Sequence, residues 1–125
     1  MPAWTFYDYV ESSGANPFVD WHSGLQPDAQ AFIDARILQM SGLLKWSEKW
    51  ISKYRGTEKI FELRITYMKV QYRPLGCYAP ARSFVLLAGA IEKDSRLPKE
   101  TVDAAVRRQK TFEVDFSYAR PHRYY

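Results

Sequence analysis

Phe61-Glu62-Leu63-Arg64-Ile65-Thr66-Tyr67 alternates apolar and polar residues at every step. Successive side chains of an extended chain point to opposite faces, so a period of two marks a strand with one buried side. Phe61, Leu63, Ile65 and Tyr67 make that buried side, and Glu62, Arg64 and Thr66 project from the other. The stretch decides the fold class, because a strand with one dry face belongs to a sheet that helices must cover.

Downstream, Val70 to Tyr78 and Arg82 to Ile91 read as two further strands closing an antiparallel meander. The second contains the unbroken apolar run Phe84-Val85-Leu86-Leu87-Ala88, a pattern typical of a strand covered on both faces. Pro74 lacks a backbone donor, so an edge or a bulge is expected beside it. Pro98 opens a helix to about Phe112, with Glu100 in its first turn and Arg107, Arg108 and Lys110 in its last. That charge order suits the helix dipole and accounts for the basic cluster without any ligand.

Upstream, Pro27 suits the first turn of a helix running from Asp28 to about Leu44, where Ala29, Phe32, Ile33, Ile37, Met40 and Leu44 recur at helical spacing. Gly42 separates it from a shorter helical stretch, Leu43 to Tyr54, in which Trp46 and Trp50 lie one turn apart and are read as packing residues. Trp4 to Glu11 reads as a strand, followed by a turn and a short amphipathic piece, Phe18 to Ser23. The expectation is one α+β domain over residues 1–125 in the order β-α-α-β-β-β-α. Its small twisted sheet is mostly antiparallel, with helices on one face and the other face partly open. Beyond it, the alternation Val114, Phe116, Tyr118 suggests an extra strand in a tail over 113–125, ending in the basic, aromatic Arg120-Pro121-His122-Arg123-Tyr124-Tyr125.

Composition narrows the function classes. Of the 125 residues, 46% are hydrophobic and 26% charged, which suits a packed core rather than a disordered chain. Cys77 is the lone cysteine, and with only His22 and His122 beside it no metal centre or internal disulfide is expected. No stretch reads as a signal peptide or membrane span, so the chain is expected to be cytoplasmic. Net charge is +4, unevenly spread: residues 1–59 carry 6 Lys+Arg against 7 Asp+Glu, and residues 60–125 carry 12 against 7. The asymmetry points to a polyanionic partner for the second half. Phosphate-loop, dinucleotide-binding, zinc-protease and serine-hydrolase motifs are absent from the sequence, and no cofactor is expected.

What remains is a set of cations on the polar side of the sheet. Arg64 sits mid-strand, and Arg73 on the next strand lies within cross-strand reach. Two guanidiniums on one face form a clamp for a phosphodiester, each offering a planar fork to phosphate oxygens. The competing reading is that Arg64 pairs with Glu62 as a surface ion pair of little energetic consequence.

At this point the chain resembles the RelE/HigB-like superfamily of type II toxin–antitoxin toxins, most closely its phage-derived branch. The resemblance runs from about Asn16 to Phe112. It rests on Phe18-Val19-Asp20-Trp21, Arg55-Gly56, Phe61-Glu62-Leu63-Arg64-Ile65, Tyr72-Arg73, the strand Val85 to Lys93, and Leu97-Pro98 leading to Val102-Asp103-Ala104-Ala105. It implies a RelE-type fold and a metal-independent endoribonuclease that cuts mRNA on the ribosome through attack of the ribose 2′-hydroxyl. Arg64, Arg73 and Lys93 are then the implied catalytic cations, and Lys69, Tyr72, Arg107 and His122 the candidate RNA contacts. His122 is also the candidate general acid. The implied partners are ribosome-bound mRNA and a cognate antitoxin protein. Two other readings stay open on the same fold: a non-enzymatic ParE-like inhibitor of DNA gyrase, and a phage-derived relic without catalysis. On the interferase reading, Arg73→Ala is expected to abolish growth inhibition while leaving the protein folded, and truncation after Phe112 is expected to matter less.

Overall fold

The computed structural model describes residues 2–124, so Met1 and the final Tyr125 of the aromatic end lie outside the described residues. Among the described residues, a mixed sheet of seven strands carries three helices, in keeping with the expected α+β class. The strands are β1 (Thr5–Tyr9), β2 (Ile51–Lys53), β3 (Phe61–Leu63), β4 (Ile65–Tyr67), β5 (Val70–Ala79), β6 (Ser83–Glu92) and β7 (Ala119–Pro121). The helices are α1 (Pro17–Ser23), α2 (Pro27–Ser41) and α3 (Lys99–Val114), with one 3-10 turn at Phe116–Tyr118. Spatial order is β2-β3-β5-β6-β1-β7, with β4 also on β5. Only β1 and β6 run parallel among these pairs; the others are antiparallel.

Three elements differ from the sequence expectation. Beyond them, the expected strand over residues 61–67 is split at Arg64 into β3 and β4, and the helices cover both faces of the sheet rather than one. No helix forms over Leu43 to Tyr54: the chain turns there, with Trp50 N–H donating to Ser47 O, and then enters β2, which pairs Ile51 with Leu63. The one-turn spacing of Trp46 and Trp50 is met without a helix because the two rings go to different places. Trp46 stacks on Phe6, and Trp50 lies under the Arg36 guanidinium, 4.6 Å away. The second helix is instead α1, where Asn16 caps the first turn by accepting from Val19 N–H. The tail does add a strand, but at β7 rather than at the Val114–Tyr118 alternation, because α3 continues to Val114.

The helices also divide between the two faces. Phe84 and Leu86 of β6 pack with Ile33, Ile37 and Met40 of α2, whereas Val85 and Leu87 pack with Ala105 and Phe112 of α3. That is the two-faced burial that the apolar run of β6 demands. A bulge follows: Leu75 pairs with Ala88 but Gly76 pairs with Leu86, leaving Leu87 extra. The inserted residue resets the alternation, so Ala88 and Ala90 face α3 while Gly89 and Ile91 face α1 and α2.

The same irregularity surrounds Pro74. It sits within central β5, buried and paired with Gly89, yet on its other side the ladder lapses. β3 pairs Glu62 with Leu75 and β4 resumes at Ile65 with Tyr72, so nothing on that side is in register with Arg73 and Pro74. The missing proline donor is thereby met by a gap in the facing strand. Arg64 falls in that gap. Its N–H donates to Trp50 O at 2.7 Å, and its carbonyl accepts from Arg36 Nη1 at 3.3 Å.

Candidate functional site on the polar end of the sheet

Alternation and register together place Glu62, Thr66, Gln71, Arg73 and Glu92 on the face that α3 covers further along. The Arg64 guanidinium reaches the same group. Its Nη1 donates to Glu62 Oε1 at 2.7 Å, and Arg73 Nε lies 3.9 Å from that same oxygen. Arg73 Nε is also 3.4 Å from Glu92 Oε1. Arg73 Nη1 donates to Tyr72 O at 3.1 Å and Nη2 to Gln71 Oε1 at 2.9 Å, and Gln71 Oε1 further accepts from Thr66 Oγ1 at 2.7 Å. The result is one polar network of two arginines, two carboxylates, an amide and a hydroxyl.

Burial is unequal across it. The Arg73 side chain is 2% exposed and its Nε has no hydrogen-bond partner among the described residues, whereas the Arg64 side chain is 40% exposed. Glu62 is buried as well, and burial raises its pKa from the ordinary carboxylate range. The two arginines oppose that shift, and Glu92 adds to it. Chemically, the group offers an accessible cation, a buried cation with a spare donor, and a carboxyl whose proton affinity has been increased.

The structure therefore brings Arg64 and Arg73 together but separates the other sequence-derived candidates. Lys93 lies just beyond β6, exposed, at the stem of a two-residue turn in which Asp94 and Ser95 have positive φ; alternation puts Glu92, not Lys93, on the Arg73 face. Lys69 is exposed at the tip of the β4–β5 hairpin, where φ is positive at both Met68 and Lys69. Tyr72 points to the opposite face, 8% exposed and edge-on to Trp21, so its ring is taken up by core packing rather than offered to a base. Arg107 is exposed on α3 along the surface it shares with Lys110 and Val114, away from the sheet. Its neighbour Arg108 is a strut: Nε donates to Glu11 at 2.9 Å and Nη1 to Leu87 O at 3.0 Å.

His122 corrects the expectation most sharply. It is buried, its Nδ1 is 2.7 Å from Asp8 Oδ1, and its ring packs edge-on against Phe18. Asn16 donates to the other Asp8 oxygen at 3.0 Å. Asp8 shares the α1-side face of β1 with Phe6, so His122 stands on the far side of the sheet from Arg73. It ties the tail down and cannot act as an acid at the arginine pair. The residues that sequence reasoning passed over are Glu62 as a functional group and Glu92. Glu62 was visible only as a surface partner for Arg64, and Glu92 needed the register of β5 against β6.

Among the described residues, no group of three or more His, Cys, Asp or Glu is placed to hold a metal ion, and no helix is long and apolar enough to cross a membrane. No curated protein matches the chain. The family described as phage derived protein Gp49-like (DUF891) matches residues 20–110, a span that contains α2, β2 to β6 and most of α3, and with them every member of the polar network. The chain therefore belongs to the phage-derived Gp49-like family, a RelE/toxin-like family.

Proposed function

We propose that the protein is the toxin of a type II toxin–antitoxin pair and acts as a metal-independent endoribonuclease on translated mRNA. The observation that supports this reading most directly is the convergence of Arg64 and Arg73 on the buried Glu62. In the reaction, a ribose 2′-hydroxyl of the substrate loses its proton to Glu62 and its oxygen bonds to the adjacent phosphorus. The bond from phosphorus to the 5′-oxygen breaks and that oxygen takes up a proton from solvent, leaving a 2′,3′-cyclic phosphate and a new 5′-hydroxyl. A carboxylate whose pKa is raised by burial is a stronger proton acceptor than a solvated one. Arg64 stabilises the charge that grows on the phosphate oxygens, and Arg73, buried beside Glu62, contributes its positive field. Substrate entry displaces Arg64 from Glu62, a modest cost because that arginine is half-exposed.

A second reading has a specific observation behind it. Both arginines already have carboxylate partners, Arg64 with Glu62 and Arg73 with Glu62 and Glu92. That arrangement also suits a purely structural network in a gyrase inhibitor or a non-catalytic relic. The test is induced expression in a bacterial host, with 5′ ends of a reporter mRNA mapped by primer extension for the parent and for Arg64→Gln. The ribonuclease reading expects new ends within translated frames for the parent, reduced on the order of 10²-fold or more in the variant. Growth arrest without new ends favours gyrase or another protein target. No arrest favours the relic.

A further inference from the structure

Next to Arg64, at the β2 edge, is a cleft of about 420 Å³ lined by Lys53, Phe61, Tyr78 and Arg64, with Glu48 as its one acid. Its aromatic wall ends a short column. Phe6 stacks on Trp46 with centroids 5.5 Å apart and planes 24° apart, and Trp46 stacks on Tyr78 at 5.9 Å and 21°. Phe61 meets the Tyr78 ring edge-on at 4.9 Å. Phe6 is buried and Trp46 half-buried, and Tyr78, which also meets Trp4 and Phe84, is 42% exposed at the end of the stack. Lys53 is exposed on β2 and Arg64 is half-exposed at the side of the cleft nearer the polar network.

We propose that this cleft is a nucleotide subsite for single-stranded RNA, in which a base continues the column on Tyr78 and its phosphate lies between Lys53 and Arg64. Every base has a π-face, so a stacking platform accepts RNA without reading its sequence, while flanking cations follow the backbone. A volume of about 420 Å³ falls in the range of small-ligand sites. Lys53 and Arg64 face Glu48 across the cleft, and Arg64 is freed for a phosphate only by leaving Glu62. Tyr78 lies on the α2 face of the sheet and Glu62 and Arg73 on the α3 face, and Arg64, which lines the cleft and bonds to Glu62, touches both places. The subsite rests on the phosphate-binding reading of Arg64 and extends it to a nucleotide held on the α2 face.

The test is fluorescence anisotropy with a fluorescein-labelled, 2′-O-methyl single-stranded RNA of roughly ten nucleotides, a length within single-strand site sizes. The parent is expected to bind, and Tyr78→Ala to weaken binding roughly tenfold, the effect of losing one stacked base. Tyr78→Phe keeps the ring and is expected to bind like the parent. Lys53→Gln, which disturbs no packing, should lower the slope of log affinity against log salt by about 0.7. Near-ultraviolet circular dichroism of the tryptophans checks that each variant is folded. RNA affinity unchanged in both Tyr78→Ala and Lys53→Gln overturns the subsite and leaves the patch to a protein partner, and a parent that binds no RNA overturns it too. If Tyr78→Ala weakens binding while Arg64→Gln leaves mapped mRNA ends unaltered, the subsite stands and the catalytic reading falls.

Discussion

Arg73 is a charged side chain held in the driest part of the sheet, and this changes what its removal measures. With the side chain 2% exposed and its Nε near both Glu62 and Glu92, Arg73→Ala leaves two carboxylates facing a void without their cation. Removing one partner of a buried ion pair costs roughly 3–5 kcal/mol. The variant is therefore expected to shift the urea midpoint strongly, so loss of activity in Arg73→Ala does not separate lost chemistry from lost stability. Glu62→Gln added to Arg73→Ala should recover part of the loss by removing one orphaned charge. A double variant no more stable than Arg73→Ala would show that the cost is a cavity rather than unpaired charge. Arg64 is the cleaner probe of function, because a half-exposed ion pair contributes only about 0–1 kcal/mol. At this scale the sequence was informative about Glu62 and Arg64, whose alternation in one short strand makes their shared face plain. It was silent on Arg73's burial, which depends on where α3 ends its cover and on the lapse in the ladder opposite Pro74.

At the scale of elements, hydrophobic period recovered the longer strands and the long helices, but neither β2 and β7 nor the assignment of helices to faces. Alternating strands and the α2 stripe are local patterns, and each formed close to where the spacing put it. The distribution of helices over two faces was written in the unbroken apolar run of β6, but only the register shows that a bulge at Leu87 lets one strand serve both cores. The aromatic residues Trp46 and Trp50 misled because a one-turn spacing fits a tight turn as well as a helix. The seating of α1 depends on Gly89. A β-carbon there would lie 2.0 Å from the Trp21 ring carbon Cε3, far inside van der Waals contact. Gly89→Ala must push Trp21, and α1 with it, off the sheet, at a cost of about 1–3 kcal/mol for an overpacked site. Thermal unfolding measures the loss, and Trp21→Ala in the Gly89→Ala background tests the cause. If the clash is responsible, adding Gly89→Ala to a chain already lacking the indole costs little further stability. An equal cost in both backgrounds would place the strain in β6 itself.

At the scale of the whole molecule, the two ends of the chain complete each other outside the family-matched span of 20–110. β1 lies between β6 and β7, parallel to one and antiparallel to the other, so its outer side is closed only by the tail. Within that pairing, His122 and Asn16 hold the two oxygens of buried Asp8, and His122 N–H donates to Phe6 O at 2.9 Å. Truncation after Phe112 removes β7 and His122 together. It exposes β1 as a bare edge and strips Asp8 of one of its two partners, where a hydrogen bond to a charged group contributes roughly 1.5–3 kcal/mol. Against a domain stability of about 5–15 kcal/mol this is a large fraction, so the truncated chain should unfold at clearly lower urea and associate through its new edge. His122→Ala in the full-length chain separates the two contributions, since it breaks the Asp8 contact but keeps the backbone pairing of β7. The expected order of stability is parent, then His122→Ala, then the truncation. A truncated protein with the parent's urea midpoint would mean that β7 adds no net stability, and the tail would then be free to leave β1 for another strand.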